Sequence, residues 1–296
     1  KKDRIISRLE LIVTDESKKT KVNGDEIKKI ADYISNLNVI VFTPDDLEII
    51  KSSPNIRRNL LNIQLSQISK QYLNTYNEYN KLLKTRNEYL KILFNSSIAD
   101  KDYLDILTDK LIEKAIIIYQ KRKEYLDLID QKIDFYYKEI ADVGGLKIVY
   151  LPNVEFESYE YEDLRKKLKH IYKKNYVKEL NYGMTIYGPH RDDFSFKYNG
   201  NDLKFFGSQG QQRLAVLAFK LAEIDVFTDS NGTAPLLLLD DIFSELDLKK
   251  RNRLLKFISS REIQSILTTT DLKNISKKYL DDSYIYEVKN GKIERK

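Results

Sequence analysis

Two carboxylates that directly follow a run of leucines are the first candidate for chemistry in this sequence. The run Leu236-Leu237-Leu238-Leu239 ends in Asp240 and Asp241. A strand this apolar is typical of a parallel sheet that is buried on both faces. Open α/β folds bind ligands at the carboxyl ends of such strands, so Asp240 could hold a magnesium ion and Asp241 could orient or deprotonate a water molecule. The alternative is a buried strand that ends in an ordinary acidic turn.

A segment rich in glycine and glutamine, about thirty residues earlier, is the second candidate. It reads Gly207-Ser208-Gln209-Gly210-Gln211-Gln212-Arg213 and stands at the start of a predicted helix. Glycines leave backbone N–H groups accessible, and the positive end of a helix dipole attracts phosphate, so a nucleotide phosphate fits this segment. A glycine-rich helix cap without a ligand is the alternative. The two segments together are more specific than either one alone.

The residues around these segments resemble parts of ABC-type ATPases. Ile242 to Asp247 match the D-loop that follows the Walker B strand, and the glycine segment matches the signature motif. In these ATPases the signature helix completes the nucleotide site of a second subunit, so the motif predicts a dimer. No glycine begins the pattern G-x-x-x-x-G-K-[ST] of a Walker A loop. The chain therefore carries the signature and Walker B parts of an ATP site without the phosphate-cradling loop.

Composition limits the other kinds of site. Cysteine is absent and only His170 and His190 are present, which excludes disulfides and argues against a zinc site. The net charge of +6 is compatible with binding to nucleic-acid phosphates and equally with a solvated Lys-rich surface. No stretch is apolar enough to span a bilayer or to act as a signal peptide, so we expect a cytoplasmic protein without membrane association.

Apolar periodicity in the middle of the chain predicts a helical arm. Apolar residues recur at threes and fours over residues 61–90 and 104–140, and Gly144-Gly145 ends the second run. Two helices of this length should pair antiparallel. Tyrosines in these runs are interpreted as core residues rather than as platforms for base stacking. The Lys-rich helix expected at residues 161–180 could face DNA phosphates or solvent.

The segments on either side of the arm predict an α/β lobe. The expected strands are residues 4–14, 20–23, 38–42, 235–240 and 263–269, the expected helices are 209–228 and 248–259, and a hairpin is expected about Asn290-Gly291. We predict an α/β fold in which an ABC-ATPase lobe of the Rad50 and SMC type carries an inserted antiparallel helical arm. Its three parts are a partial lobe at 1–53, the arm at 54–180, and at 181–296 the lobe with the signature motif, Walker B and D-loop.

Five stretches resemble the RecF family of bacterial DNA-repair ATPases. They are the residues from Phe42-Thr43-Pro44-Asp45-Asp46 to Pro54, Gly188-Pro189-His190-Arg191-Asp192-Asp193-Phe194, Phe206 to Ala215, Lys220-Leu221-Ala222-Glu223, and Leu239 to Asp247. The Asp-Asp pair favours RecF over transporters and SMC proteins, which usually carry Asp-Glu. The resemblance covers essentially the whole chain, and it implies that the Walker A part precedes Lys1.

The resemblance assigns roles to individual residues. Asp240 becomes the acid on the Mg²⁺ side, and Asp241 becomes the hydrolytic base or water-orienting residue. Thr270 stands where transporters carry a switch histidine and receives no role. Ser208 and Gly210 would contact the γ-phosphate across the dimer. Gln211 and Arg213 would support the helix that makes this contact. Ser244 and Asp247 would form the D-loop at the dimer interface.

The segment Gly188 to Phe194 leaves two interpretations open for His190 and Arg191. The family resemblance implies a hinge or a contact close to DNA. The alternative, which we favour, is an Arg191 side chain paired with Asp192 or Asp193 to fix a turn.

The resemblance also implies a function in recombinational DNA repair and replication restart. Proteins of this type bind duplex DNA and gapped junctions, dimerise on ATP, and cooperate with RecO and RecR to load RecA. In the full-length protein we expect a slow, DNA-stimulated ATPase, and in the chain as it stands no hydrolysis. The rivals are another ATPase of the SMC and Rad50 class, whose arm would be much longer, and a DNA-binding module without ATPase function.

Overall fold

The computed structural model shows an α/β protein with a pair of long packed helices. The described residues are 7–15, 17–27, 33, 36–95, 100–261, 263–272, 275–281 and 283–295. The start of the first expected strand, residues 4–6, lies outside them. Of the helices in these ranges, none combines the length and the apolar character needed to cross a membrane.

Four strands precede the first of these helices, helices dominate the middle of the chain, and strands and helices alternate in its last third. The strands are β1 (Leu9–Val13), β2 (Lys18–Val22), β3 (Asp25–Glu26), β4 (Val39–Phe42), β5 (Leu146–Leu151), β6 (Asp193–Tyr198), β7 (Asn201–Asp202), β8 (Leu236–Leu239), β9 (Ser265–Leu267), β10 (Tyr286–Lys289) and β11 (Lys292–Arg295). The helices are α1 (Glu48–Lys51), α2 (Pro54–Ile68), α3 (Lys70–Asn95), α4 (Lys101–Ala141), α5 (Tyr161–Lys174), α6 (Tyr176–Tyr182), α7 (Leu203–Phe206), α8 (Gln209–Asn231), α9 (Leu248–Ser259) and α10 (Lys277–Asp281).

A parallel sheet of strand order β4-β8-β9 carries the candidate carboxylates. The leucine run forms its middle strand, as expected. Leu237 and Leu239 are buried, whereas Leu236 and Leu238 are only partly buried, because side chains alternate between the two faces of a strand. The expectation of a strand buried on both faces is therefore wrong for the described residues.

The two long helices α3 and α4 pack against each other in antiparallel fashion. The sequence separation of their contacts falls from 50 residues for Tyr72 and Arg122 to 22 for Arg86 and Thr108, as antiparallel packing requires. Ser69 interrupts the first predicted helix. Its extended backbone ends α2, and its hydroxyl accepts the backbone N–H of Tyr72 at the start of α3. The pattern taken as one helix is therefore two.

A small antiparallel sheet of order β5-β6-β7 joins the arm to the lobe. Strand β5 lies in the segment predicted as arm and β6 in the segment predicted as lobe, and they pair from Leu146 opposite Tyr198 to Leu151 opposite Asp193. The helix expected at residues 161–180 divides at Asn175 into α5 and α6.

Helix α8 is the centre of the core and positions the glycine segment. Its buried residues follow one another almost without interruption from Gln212 to Phe227, which is typical of a helix surrounded by protein. It packs against α4 and β4. Its first residues, by contrast, are exposed, including Ser208 at the N-cap and Gly210 in the first turn.

Small antiparallel sheets lie near both ends of the described chain. Strands β1, β2 and β3 form one, and the hairpin of β10 and β11 forms the other. Asn290 and Gly291, the turn residues of the β10–β11 hairpin, have φ values of 48° and 76°. This backbone is what a type I′ turn requires, and the predicted hairpin is confirmed.

Candidate nucleotide site

The carboxyl end of β8 presents Asp240 between the ends of β4 and β9. The backbone N–H of Asp240 donates to the carbonyl of Phe42 over 2.9 Å. On the other side, the Thr268 hydroxyl donates to Oδ1 of Asp240 over 2.6 Å. Asp240 itself is exposed. Three parallel strands thus end around an accessible carboxylate, at the edge where open α/β folds bind ligands.

Asp241 has a strained backbone and an unsatisfied side-chain atom. Its φ of 46° and ψ of 28° are left-handed, a conformation that non-glycine residues adopt at a cost and that clusters at functional sites. Its N–H donates to the Thr268 hydroxyl over 3.0 Å, and its carbonyl accepts the Ser244 hydroxyl over 2.8 Å. Its buried Oδ1 has no hydrogen-bond partner among the described groups. A buried acceptor without a donor is costly, and such groups are found at strained or functional positions.

The donor set around Asp240 fits a magnesium ion shared with phosphates. One carboxylate oxygen of Asp240, Oδ1, accepts a hydrogen bond from Thr268. Among the described residues there is no cluster of three or more acidic, histidine or cysteine side chains that could enclose a metal by itself. Mg²⁺ at nucleotide sites is usually held by one or two carboxylates, with phosphate and water oxygens completing its octahedron. A single accessible carboxylate at this edge is compatible with that arrangement.

The start of α8 is closed by a reciprocal pair of hydrogen bonds. The Ser208 hydroxyl accepts the N–H of Gln211 over 3.2 Å, and the Gln211 side chain accepts the N–H of Ser208 over 2.9 Å. This is a capping box, which satisfies helix N–H groups that otherwise lack partners. Gln211 therefore stabilises the helix start, and its role at a nucleotide site stays a prediction. Arg213 is partly buried one turn further in.

The two glycines of this segment differ in how much space surrounds them. A Cβ on Gly207 would lie 2.7 Å from the carbonyl oxygen of Leu203, so a side chain is excluded there by the chain itself. A Cβ on Gly210 would meet nothing within 4 Å. Nothing in the described chain thus requires glycine at position 210. The open space above it is where a phosphate or a second protein surface could approach the backbone closely.

The D-loop residues are engaged within the chain. Ser244 lies in the turn after Asp241 and bonds its carbonyl. Asp247 is the N-cap of α9, where it accepts the backbone N–H of Lys250 and pairs with the Lys250 ammonium at 2.6 Å. These hydrogen bonds to Lys250 lower the pKa of Asp247. Both residues remain exposed.

The candidate residues thus form two separate groups in one chain. Asp240, Asp241 and Ser244 lie together with Thr268, a residue whose role the sequence did not predict. Ser208, Gly210 and Gln211 lie at the start of α8, and no hydrogen bond described for them reaches the first group. Both groups include exposed residues. A site that uses both within a dimer stays a prediction.

A buried ion pair that the sequence did not predict joins the arm to the segment after it. Arg122 of α4 donates to Asp192 over 2.8 Å, and each side chain is 1% exposed. Arg122 also donates to the Asn62 side chain over 2.9 Å. Asp192 in addition accepts the Tyr150 hydroxyl over 2.5 Å and the Asn153 N–H over 2.8 Å. The only sequence signal was that Arg122 falls at helical spacing from the apolar residues Ile118, Tyr125 and Ile129.

The favoured interpretation of Arg191 is wrong. Arg191 is exposed, and the partners of the two aspartates lie elsewhere. Arg122 pairs with Asp192, and Arg57 pairs with Asp193 through two hydrogen bonds of 2.6 and 2.9 Å. Long-range ion pairs across the fold thus replace the expected local ion pair of Arg191.

His190 is built into the protein as a neutral side chain. Its Nε2 lies 3.2 Å from the carbonyl of Thr185, which can only accept, so Nε2 carries the proton and Nδ1 accepts the Tyr79 hydroxyl over 2.6 Å. Burial lowers the pKa of His190 to about 4. It is therefore uncharged at neutral pH, which argues against a charged contact with DNA phosphates.

A second buried charged cluster links α8 to the arm. Lys220 lies 3.6 Å from Asp46 and 4.0 Å from Glu223. Glu223 also accepts the hydroxyl of Tyr125 on α4 over 2.8 Å. Burial raises the pKa of Glu223 to about 7, although Lys220 and Tyr125 oppose the shift.

The lysines of α5 are exposed, as either interpretation requires. Lys169 pairs with Asp109 at 3.0 Å. The other lysines of the cluster are Lys166, Lys167, Lys173 and Lys174. Their contact with DNA stays a prediction.

The chain is similar to curated proteins along nearly its whole length. No protein-family model matches it. It is 37% identical over 289 residues to the DNA replication and repair protein RecF of Shouchella clausii, covering 97% of this chain and 77% of that protein. It is 39% identical over 290 residues to the RecF of Halalkalibacterium halodurans, covering 97% and 78%. The chain belongs to the RecF family.

Solved RecF structures share the fold. One, described as the recombination mediator protein RecF-ATPrS in the RecFOR pathway, is 32% identical, has a TM-score of 0.85, and is matched over 98% of this chain and 76% of that one. Another, described as RecF-ATP in the same pathway, is 31% identical with a TM-score of 0.86 and the same coverage. The predicted α/β fold, an ABC-ATPase lobe with an inserted helical arm, is confirmed.

Proposed function

We propose that this RecF-family protein binds ATP and Mg²⁺ and acts in recombinational DNA repair and replication restart in the bacterial cytoplasm. The observation that carries the proposal is the arrangement at the end of β8, where an accessible Asp240 is followed by a left-handed Asp241 with a buried, unpartnered oxygen. Support also comes from relatives named DNA replication and repair protein RecF and from RecF structures described with ATP and ATPrS.

Each carboxylate has a distinct task in this proposal. Bound Mg²⁺ would neutralise charge on the β- and γ-phosphates. Asp240 would hold its carboxylate toward the ion, with Oδ1 fixed by Thr268. Asp241 would orient the attacking water or take its proton. We expect slow, DNA-stimulated hydrolysis in the full-length protein and none by residues 1–296 alone, because this sequence contains no Walker A pattern.

A homodimer would complete the site. Ser208 and Gly210 would contact the γ-phosphate held by the other copy, and the open space at Gly210 leaves room for such an approach. The exposed Ser244 and Asp247 would lie at the interface between the copies. The dimer would bind duplex DNA and gapped junctions and work with RecO and RecR to load the RecA recombinase.

The test compares ATP turnover by the full-length protein and by variants, with gapped DNA present. Asp241→Asn should abolish turnover while ATP binding remains, because it removes the base and keeps the size of the side chain. Ser208→Arg should prevent ATP-dependent dimerisation, which is measured by sedimentation. Asp229→Asn, at the exposed far end of α8, is the matched control and should behave as wild type. Wild-type turnover in Asp241→Asn would contradict the proposal.

A further inference from the structure

Thr268 forms hydrogen bonds to both Asp240 and Asp241. It follows β9 directly, and its own N–H donates to the Leu239 carbonyl over 2.9 Å. Its hydroxyl donates to Asp240 Oδ1 over 2.6 Å and accepts the Asp241 N–H over 3.0 Å. One side chain thus bonds both aspartates, which are 28 and 27 residues away in sequence.

The direction of these hydrogen bonds is fixed by chemistry. A hydroxyl has one proton, and a backbone N–H can only donate, so the Thr268 proton must go to Asp240. The Asp240 bond has the short length typical of a hydroxyl that donates to an ionised carboxylate. The Asp241 bond falls on a residue whose φ of 46° is strained. Thr268 therefore orients one carboxylate and stabilises the backbone turn that aims the other.

The neighbouring threonine does not share this arrangement. The Thr269 hydroxyl donates to the carbonyl of Asp271 and accepts its N–H, over 3.2 and 3.3 Å, within its own turn. Thr270, at the position of the transporters' switch histidine, has no such bond among those described. The contact with the candidate site thus comes from Thr268, two residues before the position where transporters carry the switch histidine.

We propose that Thr268 is a positioning residue of the ATP site, which holds Asp240 in its metal-facing orientation and Asp241 in its left-handed turn. This inference rests on the proposed function. Thr268 acts through the two aspartates and need not touch ATP. Loss of a hydrogen bond that orients a metal ligand typically costs about 10- to 100-fold in metal affinity or activity.

The experiment uses the full-length protein with Thr268→Val, which keeps the side-chain shape and removes the hydroxyl. Thr268→Ser keeps the hydroxyl, and Thr269→Val is the matched control on the same loop. Thr268→Val should raise the half-saturating Mg²⁺ concentration for ATP turnover about 10- to 100-fold and lower kcat, with the KM for ATP changed far less. Thr268→Ser and Thr269→Val should remain near wild type.

A second readout needs neither nucleotide nor metal. Hydrogen–deuterium exchange of the Asp241 amide, resolved by fragmentation, should be faster in Thr268→Val than in wild type and restored in Thr268→Ser. Unchanged Mg²⁺ dependence and unchanged exchange in Thr268→Val would overturn the positioning role, as would a Thr268→Ser variant as impaired as Thr268→Val. If Asp241→Asn abolishes turnover and Thr268→Val does not affect it, only this inference fails. Wild-type turnover in Asp241→Asn sinks the proposed ATPase function itself.

Discussion

Replacing Arg122 with methionine should be among the most destabilising single substitutions in the arm. Arg122 and Asp192 are each 1% exposed, and the pair lies between α4 and the segment that returns to the lobe. Burial already raises the pKa of Asp192, and Arg122 opposes that rise. Without Arg122, the Asp192 carboxylate must either stay charged in a buried place or take up a proton.

The expected cost follows from the burial of both partners. Removing one partner of a buried ion pair typically costs about 3–5 kcal/mol, because the other charge loses its compensation. Because the entropy of unfolding is about 2.1 cal/mol/K per residue, such a loss in a chain of 296 residues lowers Tm by roughly 5–8 °C. Asp192→Asn should cost a similar amount, since it leaves the Arg122 guanidinium with only neutral hydrogen-bond acceptors such as Asn62.

The assay is urea denaturation of wild type, both single variants and the double variant Arg122→Met/Asp192→Asn. The double variant should lose less stability than the two single losses together, because neither charge is left alone. Lys169→Met breaks the half-exposed pair with Asp109 and should cost no more than about 1 kcal/mol. A loss below about 1 kcal/mol for Arg122→Met, or strict additivity in the double variant, would refute the reasoning.

Other substitutions test individual features of the lobe. Glu223 has a folded pKa of about 7, above its ordinary value of 4.5, so the stability it contributes is complete below pH 4.5 and lost as pH rises through 7. Glu223→Gln should remove this dependence, which is worth at most about 3 kcal/mol, in urea melts between pH 4.5 and 8; equal pH slopes in both proteins would contradict it. Gly210→Ala should stabilise the helix by up to about 1 kcal/mol, measured by thermal melts. It should also weaken ATP-dependent dimerisation, measured by sedimentation, and unimpaired dimerisation would contradict the proposed contact of Gly210 with the γ-phosphate. Asp241→Gly should relieve the left-handed strain, gain roughly 1 kcal/mol and lose ATP turnover, whereas a net loss of stability would show that the turn is not strained.

Local sequence patterns determined the main elements and the identity of the candidate carboxylates. The leucine run followed by Asp240 predicted strand β8, and Gly207 and Ser208 predicted the start of α8. These predictions succeed because each depends on residues within one element, where periodicity and capping act over a few positions. The break at Ser69 was not predicted, because the apolar periodicity continues across it.

Only the tertiary structure decided which distant residues meet. Asp192 and Asp193, expected to pair with Arg191, form ion pairs with Arg122 and Arg57 instead. Strand β5 pairs with β6 across the predicted boundary between arm and lobe. The tertiary structure also set Thr268 between Asp240 and Asp241. Such contacts join residues that are tens of positions apart. Their geometry depends on how whole strands and helices pack, and no local pattern in the sequence specifies that.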